Sequence, residues 1–195
     1  MGDDPIPLQP TRPSRADALR NRELLLETAQ RLFAAHGVEA VSMSAIAEAA
    51  DVGKGTLYRH FANKTDLCLA LLDQQQRSLQ ERTLQRLRHN DDPEANLRWF
   101  LREALTYVWQ NLPLLLVGAP EAHLRHTAAH TWWRQTLRGL LARLGVKQHL
   151  DYAADALYIM LDAYTVHFQC QVRPCTLDEL VAGIHALLNG ILKAR

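Results

Sequence analysis

The chain has 195 residues, with 22 Lys and Arg against 21 Asp and Glu and a net charge of +1. That balance excludes a global field able to draw in nucleic acid, so a polyanionic partner has to be met by a local patch. A hydrophobic fraction of 48% and a charged fraction of 22% suit one or two packed globular domains.

The first stretch, MGDDPIPLQPTRP, holds four of the eight prolines and no apolar run. Residues 1–13 read as a flexible arm, neither signal peptide nor membrane span. No later apolar run reaches spanning length, so no membrane partner is expected. The three cysteines, Cys68, Cys170 and Cys175, are an odd and sparse set. They point to a reducing, cytoplasmic compartment. Four residues separate Cys170 from Cys175, not the two of a redox motif or zinc knuckle, and they read as free structural thiols.

Strand signals are almost absent, and helical periodicity recurs to the end. Ser14 and Asp17 can form a capping box for a helix carrying Leu25, Ala29, Leu32 and Phe33 on one face. Gly37 suits a left-handed C-terminal residue for it. Two short helices follow within 42–61, and a long one is expected from Asn63 and Asp66 to about His89. Asp92-Pro93-Glu94 opens another, expected to end before Pro113. Gly118 and Pro120 interrupt the next segment. Further helices are expected to about Gly145, from about His149 to Val172, and from the capping box Thr176-Leu-Asp-Glu179 to Lys193. The fold class is all-α with about nine helices.

From Tyr152 to Phe168 nearly every position is apolar, which predicts a helix buried all round. The last helix shows a wide apolar stripe, with small residues Ala182, Gly183, Ala186 and Gly190 beside it. Together they read as a homodimer interface, a four-helix bundle from two helix pairs, the other reading being an ordinary monomer core. Its expected contacts are Tyr152, Ala156, Leu180, Gly183, Ile184, Leu187, Gly190 and Ile191.

The segment VSMSAIAEAADVGKGTLYRHFANKTDL, residues 41–67, carries the functional signal. Ser42 or Ser44 caps a short helix whose inward face is Ile46, Ala47 and Ala50. Asp51 falls where a tight turn requires a left-handed backbone. Gly53 can start the second helix as a weak cap, and Leu57 and Phe61 anchor it inward. Lys54, Gly55, Thr56, Tyr58, Arg59 and His60 are left on or near its outer surface. Two short helices joined this way form a helix-turn-helix, and a major groove admits one such helix by its N-terminal end. Lys54 can reach a guanine edge or a phosphate, Gly55 removes bulk, and Tyr58 offers a ring to a thymine methyl. His60 and Lys64 suit phosphates. Residues 11–64 hold eight Lys and Arg against six Asp and Glu, with Arg12, Arg15, Arg20 and Arg22 bunched near the start.

This segment resembles the DNA-binding domain of the TetR family of transcriptional regulators. The likeness rests on Ala29, Leu32, Phe33, Gly37, Ile46-Ala47, Val52, the run Lys54-Gly55-Thr56-Leu57-Tyr58-Arg59-His60-Phe61, then Asn63-Lys64 and Leu67. It covers about residues 19–79. The DNA candidates are therefore Ser42, Met43, Ser44, Lys54, Gly55, Thr56, Tyr58, Arg59, His60 and Lys64. The family often has threonine, a variable residue and arginine where this chain has Ser42-Met43-Ser44, so one familiar groove contact is missing. The resemblance implies a head over 14–66 and an effector-binding and dimerisation domain over 67–195. It implies a homodimer on double-stranded, palindromic operator DNA, most often a repressor released by a small-molecule effector. The long helix from Lys64 is then the lever between the two domains.

The effector is unknown from sequence. Trp99, Tyr107, Trp109, Trp132, Trp133, Tyr158 and Tyr164 either line an aromatic cavity or are plain core. Asp162, an acid in an apolar helix, either meets a cationic ligand or pairs with a neighbouring histidine or arginine. His126 and His130, four apart with His123 near the same face, suit zinc chelation or form a surface cluster, so a metal-responsive regulator is a second reading. A helical interaction protein without DNA binding is a third, supported by Ser44 alone. No phosphate loop, nucleophile elbow or carboxylate pair is present, so neither catalytic residue nor cofactor is expected.

Overall fold

The computed structural model describes residues 15–117 and 127–194. The arm, Ser14, Gly118, Pro120, His123 and His126 lie outside the described residues, as does the His130 side chain. The described residues form nine helices and no strand: α1 Arg15–His36, α2 Met43–Ala49, α3 Lys54–His60, α4 Lys64–His89, α5 Pro93–Val117, α6 Thr127–Arg143, α7 Leu150–Met160, α8 Ala163–Val172 and α9 Leu177–Lys193. The chain divides into two compact units, Met1–Lys64 and Thr65–Arg195.

In the first unit α1, α2 and α3 pack against one another in all three pairings. Leu25, Leu26, Ala29 and Phe33 of α1 are buried, as are Ile46, Ala47, Leu57 and Phe61. Each buried Leu, Ile or Phe side chain stabilises by about 1.5–3 kcal/mol, which is what lets two seven-residue helices exist at all. Gly37 ends α1 at φ +83°, its N–H donating to the Phe33 carbonyl at 2.9 Å.

In the second unit α5 is the central helix, touching α6, α8 and α9, while α6 pairs with α7. Phe100, Leu101, Ala104, Leu105 and Val108 give α5 its buried face. The start of α5 is knotted to the end of α4. Asp92 Oδ1 caps it by accepting from the Glu94 and Ala95 N–H groups at 2.9 and 3.1 Å. Buried Asn96 donates to the Asn90 carbonyl at 2.7 Å and accepts from Arg86 Nε at 3.0 Å. Asp151 accepts from Arg138 Nε at 2.8 Å and from Arg134 at 3.3 Å, tying α7 to α6. The Arg138 hydrogen bond is the main reason the Asp151 carboxyl titrates below its ordinary range. Such exposed pairs contribute little stability.

Three expectations are corrected. First, α5 runs through Pro113 to Val117 and does not end before it. Proline removes one N–H but leaves the helix in place, because Leu114 beyond it is buried and holds the last turn to the core. Second, the single helix expected over 149–172 is two helices with a break at Leu161-Asp162. Asp162 takes extended backbone and caps α8, its carboxylate accepting from Thr165 N–H at 2.9 Å and Thr165 Oγ1 at 3.3 Å. Third, this region is not buried all round: Tyr152 is 77% and Phe168 66% exposed, with Ile159 and Tyr164 also open. By contrast, the capping box at Thr176 and Glu179 is present with both hydrogen bonds.

Candidate nucleic-acid interface

Local chemistry builds the turn between α2 and α3. Ser42 caps α2, its Oγ accepting from Ala45 N–H at 3.1 Å. At the other end Val52 N–H donates to the Ala47 carbonyl at 2.9 Å and Asp51 N–H to the Glu48 carbonyl at 3.1 Å. This is the paired C-terminal stop that needs a left-handed residue, and Asp51 supplies it at φ +51°. Gly53 then opens α3 without a side-chain cap, its carbonyl accepting from Thr56 and Leu57 N–H at 2.8 and 3.1 Å.

Leu57 of α3 and Phe61, the cap at its end, are buried in the first unit's core. At 100° per residue, Gly55 and Arg59 lie across the helix from them, with Lys54 and Tyr58 on one flank and Thr56 and His60 on the other. Lys54, Gly55 and Arg59 are exposed, and Thr56 and His60 half-buried. Arg59 turns back on its helix, donating to the Gly55 carbonyl at 3.1 Å and to Thr56 Oγ1 at 2.9 Å. A Cβ placed on Gly55 meets nothing within 4 Å, so no packing among the described residues calls for glycine there. Lys64, at the start of α4, donates to the Glu39 carbonyl at 3.1 Å.

Around His60 the charge is concentrated. Its pKa is lowered by burial, then by the positive charges of Arg22 and Arg59. The Arg22 guanidinium sits over the Phe61 ring, 5.4 Å from its centroid. Arg22 was absent from the candidate set, though the bunched arginines of the first helix were its signal. Met43 moves the other way: at 9% exposure it serves the core and is withdrawn as a groove contact. Ser44 is half-buried.

Residues 25–71 match the family model described as bacterial regulatory proteins, tetR family. Residues 25–71 thus carry a helix-turn-helix domain of the tetR type. Over 58 residues it is 48% identical to an HTH-type transcriptional regulator of Staphylococcus aureus (strain bovine RF122 / ET3-1), a segment covering 30% of this chain and 31% of that protein. The chain therefore matches less than a third of that curated relative's length. A TetR-family transcriptional regulator from Streptomyces coelicolor has the same fold at TM-score 0.69 and 25% identity, covering 90% of this chain and 96% of that one. A transcriptional regulator from Saccharomonospora viridis, solved in complex with choline, aligns at TM-score 0.71 and 22% identity over 88% of this chain and 96% of its own. The helix-turn-helix lies within the matched stretch, and both solved structures share the fold of the chain.

The second unit scatters the aromatic candidates. Trp133 and Tyr107 meet edge to face at 5.6 Å, and Trp132 and Trp133 both set their rings against Phe100, at 5.7 and 6.3 Å. The Tyr107 hydroxyl donates to the Leu72 carbonyl at 3.4 Å, and burial raises its pKa. Trp133 is 6% exposed and its indole N–H has no partner among the described residues. Trp99 lies apart, covered by the Arg86 guanidinium at 5.1 Å. Trp109 is half-buried. Tyr158 is pushed up to about 12, by burial and then by Asp162. Asp162, expected to meet a cationic ligand or a neighbouring histidine or arginine, instead caps α8 through Thr165. Among the described residues no three His, Cys, Asp or Glu are grouped to hold a metal ion. Of the expected dimer contacts, Tyr152, Ala156, Gly183, Leu187 and Gly190 are exposed, and Ile191 is half-buried. Leu180 and Ile184 turn into the chain's own core.

Proposed function

We propose that this chain is a homodimeric, cytoplasmic transcriptional repressor of the TetR family that binds a palindromic operator through α3 and leaves it when a small molecule enters the second unit. The observation that carries the reading is the surface of α3: Lys54, Gly55 and Tyr58 stand open beside a cationic rim of Arg22 and Arg59. The rim supplies sequence-independent attraction, and few side chains are then needed to read bases. Among the described residues no single helix is long and apolar enough to cross a membrane, although the bent pair α8 and α9 passes that test when joined.

A second copy of the chain is the occupant we assign to the open apolar side chains of α7, α8 and α9. Tyr164, Phe168 and Val172 recur every four residues on α8, and Leu187 stands out on α9. A Cβ at Gly183 or Gly190 meets nothing within 4 Å, leaving room for a partner helix. For the effector, the buried Trp133 indole N–H beside Tyr107 and Phe100 supports a flat or apolar molecule carrying one hydrogen-bond acceptor. The domain roles follow: residues 14–66 read DNA, and 67–195 hold effector and partner. Gel shifts with the promoter DNA flanking the gene, run from low to physiological salt, test the core of the reading. Retardation that weakens steeply with salt is expected; no retardation of that DNA at low salt would overturn it.

A further inference from the structure

Cys170, in the last turn of α8, and Cys175, the residue before the Thr176 cap of α9, bring their sulfurs within 3.2 Å. The chain achieves this by leaving α8 at Arg173, whose extended backbone turns it through Pro174 and back toward α8. Both thiols are free and half-buried, while the third, Cys68, is buried. We propose that Cys170 and Cys175 form a reversible dithiol–disulfide site, oxidised by a hydroperoxide, that fixes the corner between α8 and α9.

Geometry favours closure. A disulfide needs the sulfurs to close to about 2.05 Å, a movement of roughly one ångström for side chains at a loop. The two sulfurs share a hydrogen bond in which either thiol can be the donor, and burial, then that hydrogen bond, push the Cys170 thiol up to about 11. The same disulfide results whichever sulfur attacks first, and one route begins at Cys175. Its sulfur attacks one peroxide oxygen, the O–O bond breaks, a sulfenic acid forms and one water leaves. The Cys170 sulfur then attacks the Cys175 sulfur, the S–O bond breaks, and the thiol proton departs with the second water. Two thiols lose two electrons and the hydroperoxide gains them. In a reducing compartment a disulfide of this kind is transient, which is the behaviour of a sensor and not of a staple.

The site stays reachable in the proposed dimer. On α8 the open stripe is Tyr164, Phe168 and Val172, whereas Cys170 lies one turn beyond buried Val166, on the opposite side of the helix. The chain bends by 114° between α8 and α9, and a bond from Cys170 to Cys175 crosses that corner. Oxidation would thus stiffen the angle between two helices that carry partner-facing side chains, a consequence that rests on the dimer reading, whereas the chemistry of the site does not.

Treating the full-length, reduced chain with stoichiometric hydrogen peroxide, then alkylating and weighing it, tests the site. The expected result is loss of two titratable thiols with Cys68 retained, a mass lower by two hydrogens, reversal by dithiothreitol, and a melting temperature raised by a few degrees. Cys170→Ser and Cys175→Ser should each abolish the intramolecular product. Retention of all three thiols, disulfides only between chains, or over-oxidation of single cysteines in the wild type would overturn the proposal, and an unshifted melt would overturn the fixed corner. DNA retardation by the reduced protein tests the regulatory reading separately.

Discussion

Leu57 and Tyr58 are neighbours in the chain and opposites in space: the first is fully buried, the second half exposed on α3. One residue holds the helix to its unit, and the next is free to meet something else. Tyr58→Ala should therefore lower operator affinity by about 1–3 kcal/mol per site while leaving the melting temperature unchanged. Leu57→Ala should cost about 2–5 kcal/mol of stability and lose DNA binding with the fold. Anisotropy titrations alongside thermal melts separate the two outcomes.

Gly55 offers a substitution in which stability and function move in opposite directions. Nothing among the described residues crowds a Cβ there, and glycine inside a helix costs roughly 0.5–1 kcal/mol relative to alanine. Gly55→Leu should raise the melting temperature slightly. It should also push the backbone of α3 away from DNA and weaken binding at least tenfold. Equal or tighter binding by that variant would show that α3 does not approach a groove at this point.

Asp51 sits at φ +51°, a conformation aspartate adopts at some cost and glycine adopts freely. Asp51→Gly should be neutral or stabilising by up to ~1 kcal/mol. Asp51→Val should destabilise by about that amount or more, because a β-branched side chain is disfavoured there. Chemical denaturation of the pair would read the difference directly.

His60 gives the pH dependence its sign. Its pKa is lowered in the free chain, so the unfolded chain binds the proton more readily. Stability falls as pH drops from the ordinary value of about 6.5 through the folded one. A phosphate beside His60 acts the other way, favouring the protonated ring and offsetting Arg22 and Arg59. Operator affinity should accordingly rise as pH falls from 8 to 6, and the rise should shrink in His60→Gln. Titrations at matched ionic strength check this.

On α9, Gly183 tests the assembly. A charged side chain there has space in the single chain, and glycine's helical penalty is removed. Gly183→Glu should keep the fold and halve the mass seen in sedimentation. An unaltered dimer would move the interface away from this face.

Much of the first unit was legible because its rules are local. The left-handed turn, the Ser42 cap and the Leu57 and Phe61 anchors each depend on a handful of adjacent residues. The Thr176 box was legible for the same reason. Pro113 misled because a proline's local effect was outweighed by the burial of Leu114 one residue on. Asp162 misled differently: amid apolar neighbours it looked like a lone charge, although Thr165 three residues later marked it as a cap. Met43 was placed with the groove residues by its position between two serines, while its side chain turns inward. Cys170 and Cys175 meet through a chain reversal at Arg173 and Pro174 that no periodicity announces.

The Asn90–Asn96 knot has a geometric consequence for the helix it terminates. The short, firm hydrogen bonds between α4 and α5 gather near His89, whereas toward the opposite end Tyr107 reaches Leu72 at 3.4 Å, long for such a bond. Helix α4 has 26 residues and spans about 39 Å. Pivoting at the knot by about five degrees sweeps Lys64 through an arc of roughly 3.4 Å, which matches the rise of about 3.4 Å between successive base pairs. Because Leu67, Leu71 and Leu72 near that end are buried, such a tilt has to carry the apolar face of α4 with it.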